Sequence, residues 1–236
     1  MSSNAIAIIT ARGGSKRIPR KNIKSFCGKP ILAYSIEAAL NSNLFEEVMV
    51  STDDSEIAAI AKEYGALVPF LRSKETSDDY SNTNEVIAEV LSRYKIEGKN
   101  FEYVVCIYPT APFITSSLLQ KALKLLIDTP AANSVLPVTK FSFPPQRGMT
   151  ISNDSTLKYW MPENANARSQ DLLPIYHDAG QFYCCKTVAF FSTKRLASEP
   201  TIPLVLPETS VQDIDTISDW AIAELKYQSL NRGTDD

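Results

Sequence analysis

The sequence predicts an α/β fold with a mostly parallel, doubly wound sheet. Short apolar runs, typical of strands buried on both faces, alternate along the chain with segments of helical period. Parallel strands need crossover connections, and the intervening helices supply them. A length of 236 residues suits one large domain better than two. Hydrophobic residues make up 44% of the chain and charged residues 22%, which excludes disordered, collagen-like and coiled-coil proteins.

The first half of the chain carries the clearest alternation of strands and helices. Strands are predicted at residues 5–9, 48–52, 68–71 and 103–108. Helices are predicted to begin near Pro30, after a cap at Asp53 or Asp54, at Thr83 or Asn84, and to cover residues 117–127.

The regular alternation of strand and helix patterns ends near residue 134. One more strand is predicted at 135–138, but residues 141–173 carry prolines and aromatic residues with little helical period, which indicates an inserted β-rich lobe or subunit contact. The aromatic and β-branched run 182–191 returns the chain to the core, and a last helix is predicted at 216–229. We therefore expect one domain over residues 1–230 and a frayed tail over residues 231–236.

Charge and composition exclude several classes of protein. The net charge of −3 disfavours a nucleic-acid partner, since proteins that wrap a duplex are usually strongly basic. No apolar run is long enough to span a bilayer or to act as a signal peptide, so we expect no membrane association. The four cysteines lack a Cys-x-x-Cys spacing and the chain has a single histidine, which argues against a disulfide framework and a His-rich zinc site. These features predict a cytoplasmic protein.

The loop after the first predicted strand is the richest candidate site. Ligands in open α/β sheets lie beyond the carboxyl ends of such strands, and Gly13 and Gly14 allow positive φ, so that successive N–H groups can curl around an anion. The loop also concentrates positive charge, at Arg12, Lys16, Arg17, Arg20 and Lys21. These features favour a binding site for the phosphates of a nucleoside triphosphate over a solvated basic turn. Neither a Walker loop nor a G-x-G-x-x-G fingerprint is present.

The segment Asp213-Ile214-Asp215 is a second candidate site. In an extended segment residues i and i+2 point the same way, so both carboxylates can face one cation. Mg²⁺ suits such ligands, because it takes one or two carboxylates together with substrate phosphate oxygens. A cap on the terminal helix is an equally good interpretation of either aspartate.

Several motifs, in order along nearly the whole chain, resemble those of one enzyme family. They are Ala-Arg-x-x-Ser-Lys-x-x-Pro-x-Lys-Asn at 11–22, Val-Ser-Thr-Asp at 50–53, Arg72 followed by Ser77-Asp78, Pro-Thr-Ala-Pro at 109–112, and Asp213-Ile214-Asp215. The sequence is similar to the cytidylyltransferases that activate acidic sugars as CMP derivatives. This resemblance implies a Rossmann-like nucleotidyltransferase, with CTP and a nonulosonic acid (an acidic nine-carbon sugar) as substrates, Mg²⁺ as cofactor and pyrophosphate as second product. It also implies a homodimer in which residues 141–173 reach across to the partner site.

The resemblance implies roles for residues around the nucleotide. CTP would be bound by Arg12, Gly13, Gly14, Ser15, Lys16, Lys21, Asn22 and Arg72, and the metal by Asp213 and Asp215. The residues implied for catalysis are Arg12, Lys16, Lys21 and Asp215. The sugar's anomeric hydroxyl would attack the α-phosphorus of CTP, while the protein positions two anions and neutralises charge. The alternatives are that Asn22 is a turn residue and Arg72 a solvated surface charge.

The sugar end departs from the pattern of sialic acid synthetases. Tyr108 stands where they carry Gln, and His-Asp-Ala-Gly-Gln-Phe-Tyr at 177–183 replaces their Arg-Pro-Asn-Gly-Ala. That string resembles the branch that activates pseudaminic acid, a 5,7-diacetamido sugar of bacterial surface glycans. The sugar residues implied are Tyr108, Arg168, His177, Asp178 and Gln181, with Arg168 near the sugar carboxylate. Phe182 and Tyr183 are predicted to lie in the core.

Three alternatives stay open at this point. The same chemistry could act on legionaminic acid, sialic acid or a 3-deoxy-octulosonate. A Rossmann oxidoreductase is opposed by the missing G-x-G-x-x-G. A non-catalytic nucleotide-binding regulator would have no need of the paired aspartates.

Overall fold

The computed structural model describes residues 4–77 and 81–232, so Asp78 of the Ser77-Asp78 motif lies outside the described residues. In chain order the strands are β1 Ala5–Thr10, β2 Ser25–Phe26, β3 Lys29–Pro30, β4 Glu47–Ser51, β5 Tyr103–Ile107, β6 Ser134–Lys140, β7 Met149–Ile151, β8 Leu157–Tyr159, β9 Tyr176–Asp178, β10 Phe182–Lys186 and β11 Thr201–Val205. The helices are α1 Ile31–Asn41, α2 Ser55–Glu63, α3 Thr83–Ile96, α4 Ser116–Ile127, α5 Thr187–Thr193 and α6 Ile217–Arg232.

A seven-stranded sheet runs through the described residues in the order β11-β6-β10-β5-β1-β4, with β9 added beside β6. β1 pairs in parallel with both β4 and β5, and β11 pairs in parallel with β6. β10 is antiparallel to β5 and β6, and β9 is antiparallel to β6. Five strands therefore share one direction, which confirms the mostly parallel sheet. Because β4 and β5 lie on opposite sides of β1, the strand order reverses there, which is where α/β sheets open a ligand crevice.

Both faces of the sheet are covered, as the predicted double winding requires. Successive residues of β1 point to opposite faces. On one face Ala7 and Ile9 pack in a cluster with residues of α1 and α4. On the other face Ile6 and Ile8 pack with residues of α3 and α5. β1 is thus buried along nearly its whole length, which explains its continuous apolar sequence.

The helix starts follow local capping chemistry. Asp54 rather than Asp53 caps α2, accepting hydrogen bonds from two backbone N–H groups of its first turn. Asn82 forms a capping box with Glu85 at the start of α3, which begins at Thr83 as predicted. Pro30 is the residue just before α1.

The strands differ from the sequence prediction in three places. Residues 68–71 form no strand, and the only bridge in this stretch of the described chain joins Leu67 to Met49. The run 182–191 divides between two elements, since β10 ends at Lys186, opposite the first residue of β5, and the chain then turns into α5. β11 was not predicted. It contains Pro203 and lies at the edge of the sheet, where a missing N–H is tolerated.

The lobe at residues 141–173 contains less β structure than predicted. β7 and β8 form a hairpin that pairs with itself and stays apart from the main sheet, and short 3₁₀ turns make up much of the rest. The lobe exposes large apolar side chains, including Phe143, Ile151, Leu157, Trp160 and Leu173.

The C-terminal helix extends beyond its predicted end at residue 229. α6 continues through Arg232, so residues 231 and 232 of the predicted frayed tail are helical, and residues 233–236 lie outside the described residues. Among the helices that the structure describes, none combines the length and apolarity needed to cross a membrane.

Candidate active site

A cleft of about 340 Å³ opens beyond the carboxyl ends of β1 and β5. Thr10 at the end of β1 and Tyr108 directly after β5 form part of its wall. The residues that line it are Thr10, Arg12, Ser15, Lys16, Arg17, Ile18, Lys21, Asn22, Arg72, Ser81, Thr83, Val86, Tyr108, Pro109, Thr110, Asp213 and Asp215. The cleft thus brings together the basic loop, the aspartate pair and the start of α3.

Gly13 is required by close packing rather than by its backbone angles. A Cβ at this position would lie 2.7 Å from Asp54 Oδ2 and 3.0 Å from Asp54 Cβ. The N–H of Gly13 donates to Asp53 Oδ1 at 2.9 Å, so it points at a carboxylate instead of the cleft. Within the described chain the glycines with positive φ lie elsewhere. The prediction that Gly13 and Gly14 use positive φ is therefore wrong, and neither residue lines the cleft.

Arg20 fastens the basic loop to the start of α2. Its guanidinium donates to both carboxylate oxygens of Asp54, at 2.5 and 3.1 Å, and also pairs with Glu56. Arg20 takes the left-handed conformation, with φ 56°, which is unusual for a residue with a side chain. The hydrogen bond from Arg20 lowers the pKa of Asp54 to about 2. Of the five cationic residues in the loop, Arg20 is thus the one turned away from the cleft wall.

Asn22 and Arg72 are structural parts of the cleft rather than solvated groups. Asn22 is 5% exposed and its Nδ2 donates to the carbonyl oxygen of Arg12 at 2.8 Å. Arg72 is 9% exposed, and its guanidinium donates to the carbonyl and hydroxyl oxygens of Ser51 at 2.7 and 3.2 Å. Burial lowers the pKa of Arg72. The interpretation of Arg72 as a solvated surface charge is therefore wrong, whereas Asn22 lies in the 3₁₀ turn Lys21–Ile23 and is a turn residue that also lines the cleft.

The aspartate pair lies against the basic loop. Arg17 Nη2 is 2.7 Å from Asp215 Oδ1, and Lys21 Nζ is 3.5 Å from the same oxygen. Lys21 also donates to the carbonyl oxygen of Ile214 at 2.6 Å. Burial raises the pKa of Asp213, and the neighbouring charge of Asp215 adds to the rise. Two carboxylates thus share one wall of the cleft.

The start of α6 is capped by other residues. Asp219 Oδ2 accepts hydrogen bonds from the N–H groups of Asp215 and Thr216 and from the Thr216 hydroxyl. Thr216 Oγ1 in turn accepts from the N–H of Asp219. The interpretation of Asp213 or Asp215 as helix caps is therefore wrong.

The predicted sugar residues are only partly brought to the cleft. Tyr108 lines it, but Arg168, His177, Asp178 and Gln181 do not. Arg168 lies exposed on the lobe, paired with Asp171 at 2.7 Å. Gln181 is 1% exposed, with Nε2 donating to the carbonyl oxygen of Ser210 at 2.6 Å and Oε1 lacking a hydrogen-bond partner.

His177 and Asp178 lie on β9, beside the cleft rather than in its wall. The His177 ring packs on Phe141, with centroids 4.5 Å apart. The side chain of Asp178 accepts the N–H of Gly180 at 2.8 Å. Gly180 has φ 63° and its missing Cβ would lie 3.8 Å from the Asp213 side chain, so this segment packs close to Asp213.

Sequence reasoning missed several residues of the wall. Arg17 was counted among the loop charges, and Pro109 and Thr110 belong to a quoted motif, but none was given a role. Thr83 and Val86 come from the first turn of α3, and their sequence shows only an ordinary helix start.

The mostly parallel sheet carries a basic loop and paired aspartates at its carboxyl edge. The protein therefore has a nucleotidyltransferase-like fold. The chain belongs to the cytidylyltransferase family, whose model, described as "Cytidylyltransferase", matches residues 6–202.

Named relatives agree with this assignment. A pseudaminic acid cytidylyltransferase of Campylobacter jejuni is 39% identical over 223 residues, which cover 94% of this chain and 96% of the relative. A CMP-N,N'-diacetyllegionaminic acid synthase of Legionella pneumophila is 36% identical, with coverage of 96% and 97%. The structure of a CMP:2-keto-3-deoxy-manno-octonic acid synthetase complexed with CTP superposes with a TM-score of 0.66 over 98% of this chain and 100% of that one. At 17% identity that likeness shows the fold.

Proposed function

We propose that the protein transfers CMP from CTP to the anomeric hydroxyl of pseudaminic acid and releases pyrophosphate. The observation that carries the proposal is the cleft itself, which joins Arg12, Lys16 and Lys21 to a pair of aspartates at the carboxyl edge of the sheet. The choice of sugar is supported by the 39% identity to a pseudaminic acid cytidylyltransferase along nearly the whole chain.

The basic loop is proposed to bind the triphosphate. Arg12, Lys16 and Lys21 all line the cleft, so their charges act together on a polyanion in a concave, partly desolvated site. Lys21 is tied to the backbone at Ile214, which fixes its ammonium group before the nucleotide arrives.

Ser15, Asn22 and Arg72 are proposed to surround the ribose and cytosine. All three line the cleft, and the two larger side chains are held from behind by backbone carbonyl groups. Such prior ordering lowers the entropic cost of binding. Gly13 acts indirectly, because it lets the loop approach Asp54.

Asp213 and Asp215 fit a Mg²⁺ site. Two carboxylates on one wall, one of them with a raised pKa caused by burial and by the other, are a donor set that a hard cation would stabilise. The cation would supply charge neutralisation at the phosphate oxygens. Lys21 and Arg17, which pair with Asp215, hold the carboxylate in place.

The lobe at 141–173 is proposed to be the contact of a homodimer, within a single catalytic domain at residues 1–230. Phe143 and Leu173 are about four-fifths exposed, at 86% and 78%, and large exposed apolar surfaces mark interaction sites. Arg168 lies on this lobe and outside the cleft of its own chain. We propose that it enters the site of the partner and binds the sugar carboxylate through its planar guanidinium.

The last two proposals concern the cellular location of the protein and the class of its binding partners. We propose a cytoplasmic location, supported by four cysteines that are all free thiols and by the use of CTP. The acidic net charge of −3 supports small anionic substrates rather than nucleic acid as partners.

Pyrophosphate release from CTP and Mg²⁺ with a panel of nonulosonic acids tests the proposal. We expect the highest kcat/KM with pseudaminic acid, and lower values with legionaminic acid, sialic acid and 3-deoxy-octulosonate. Good turnover of sialic acid with pseudaminic acid inert would refute the sugar assignment while keeping the class.

A matched pair of variants separates an enzyme from a nucleotide-binding regulator. Asp215→Ala should lose at least about a hundredfold in kcat, as expected for loss of an electrostatic group at the reacting phosphates, and should still bind CTP by calorimetry. The control is Asp128→Ala, which breaks a surface ion pair with Lys124 at the end of α4 and should keep full activity. Equal activity of the two variants would contradict the proposed role of Asp215.

A further inference from the structure

Three side chains form a line of hydroxyl and carboxylate groups behind the cleft. The Tyr183 hydroxyl donates to Asp178 Oδ2, and the Tyr108 hydroxyl lies 3.5 Å from the Tyr183 hydroxyl. The two tyrosine rings pack edge to face with centroids 5.7 Å apart. Of these three residues Tyr108 is the one in the cleft wall, so the other two act on the cleft through it.

The number of protons available to these three side chains fixes which group donates and which accepts in each hydrogen bond. A carboxylate can only accept hydrogen bonds, so the single proton of Tyr183 is committed to Asp178. The Tyr183 oxygen can then only accept, and the Tyr108 hydroxyl must be the donor of the pair. The 3.5 Å separation is long for an O–H···O bond, as is common in active sites before the substrate binds.

The two tyrosines remain protonated, which keeps this direction at neutral pH. Burial raises the pKa of Tyr183, and its hydrogen bond to Asp178 raises it further. Burial also raises the pKa of Tyr108. Tyr108 lines the cleft and its proton is directed at Tyr183, so its oxygen offers lone pairs rather than a proton to a group in the cleft.

Asp178 is held firmly enough to orient its neighbours. Its backbone pairs with Val138 of β6, and its Oδ1 accepts the N–H of Gly180 at 2.8 Å. The His177 ring is hydrogen-bonded to the Asp178 carbonyl oxygen at 2.8 Å. The carboxylate is therefore directed at Tyr183 and has little freedom to reach a substrate.

We infer that Tyr183 and Asp178 are positioning residues that make the Tyr108 hydroxyl a hydrogen-bond acceptor, which selects an N–H or O–H group of the sugar. An acylamino group of the sugar would satisfy it, and a carboxylate or carbonyl oxygen placed there would be repelled. This deepens the proposed function and rests on it for the identity of the sugar. Asp178, which was predicted to contact the sugar, is thereby reassigned to a residue that acts indirectly, through Tyr183 and Tyr108.

The kinetic test compares two tyrosines that donate to carboxylates. Tyr183→Phe should raise the KM for pseudaminic acid about five- to tenfold, the usual effect of one lost hydrogen bond, and leave the KM for CTP and kcat within about twofold. The matched control is Tyr94→Phe, because the Tyr94 hydroxyl donates to Glu47 far from the cleft. An unchanged sugar KM in Tyr183→Phe, or an equal rise in both KM values, would overturn the inference.

A double-mutant cycle shows whether Tyr183 acts through Tyr108. In a Tyr108→Phe background, Tyr183→Phe should have almost no further effect on the sugar KM, since the acceptor is already gone. Additive effects of the two substitutions would mean that Tyr183 contacts the sugar directly, which contradicts the inference.

A substrate-free measurement keeps the inference separate from the proposed function. In protein labelled with ¹³C at tyrosine Cζ, Asp178→Asn should shift the resonance of Tyr108 as well as that of Tyr183, with Tyr108→Phe and Tyr183→Phe as assignment controls. A Tyr108 resonance that stays unmoved refutes the coupling. If the wild-type protein turns over no nonulosonic acid, the proposed function fails, and this spectrum still decides whether Asp178 and Tyr108 are linked.

Discussion

The contact between Arg20 and Asp54 offers the sharpest test of how the basic loop is held. Asp54 has two separable tasks, since it caps α2 through two backbone N–H groups and binds the guanidinium of Arg20. Asp54→Asn keeps a good capping group and removes the charge, whereas Asp54→Ala removes both. The two variants therefore divide the stabilisation between its sources.

The pKa of Asp54 sets the size of the charge contribution. Its lowering from 3.8 to about 2 corresponds to an upper limit of about 2.5 kcal/mol, at about 1.4 kcal/mol for each pH unit. The Arg20 side chain is 40% exposed, so solvent reduces this to about 1–2 kcal/mol. The cap adds about 1 kcal/mol. We expect the free energy of unfolding to fall by about 1–2 kcal/mol in Asp54→Asn and about 2–3 kcal/mol in Asp54→Ala.

The pH dependence follows from the sign of the pKa change. Because the folded-state pKa is the lower one, the charge contribution is fully present above about pH 4 and disappears as the pH falls towards about 2. Urea unfolding at pH 7, 4 and 3 measures it, as the difference between the wild type and Asp54→Asn. That difference should shrink at pH 3. Equal losses in the two variants at pH 7, or a difference that grows in acid, would refute the reasoning.

Three further predictions concern the loop, the lobe and the cation. Gly13→Ala places a Cβ against Asp54, so it should cost about 1–3 kcal/mol of stability in urea unfolding and raise the KM for CTP, while Gly14→Ala, with open space around it, should change neither; equal effects would argue against the packing role. Trp160→Lys on the lobe should convert a dimer to a monomer in light scattering, whereas Ile96→Lys, at an apolar position on α3 that is even more exposed, should not; a wild-type monomer would contradict the proposed contact. EDTA should abolish pyrophosphate release and Mg²⁺ should restore it; full activity in EDTA would refute the metal site.

Local sequence patterns predicted those elements whose formation depends on their own residues. The continuous apolar run of β1 is buried on both faces, so its composition alone indicated a central strand. The starts of α2 and α3 were predictable to within a residue, because Asp54 and Asn82 cap the helices that follow them. The sequence did not give the bounds of strands that depend on a neighbour. β10 stops at Lys186 because β5, its pairing partner, begins there.

The residues of the candidate site also fall into those that local sequence could predict and those that depend on distant residues. Its basic loop could be found because its charges are contiguous in the sequence, and the aspartates because their i, i+2 spacing has a local meaning. The environment of Arg72 could not, since its burial depends on Ser51, 21 residues away. Thr83 was missed because nothing in a helix start tells which cleft it will face.

The sequence by itself determined the kind of fold, the family and the position of the basic loop, since each depends on motifs whose residues lie close together along the chain. The tertiary structure alone decided which charges serve the cleft. It turns Arg20 away to Asp54, sets Arg17 and Lys21 against Asp215, and gives the Tyr108 hydroxyl its direction through Tyr183. Hydrogen bonds and ion pairs act over a few ångströms, so groups distant along the chain gain their roles only when packing brings them together.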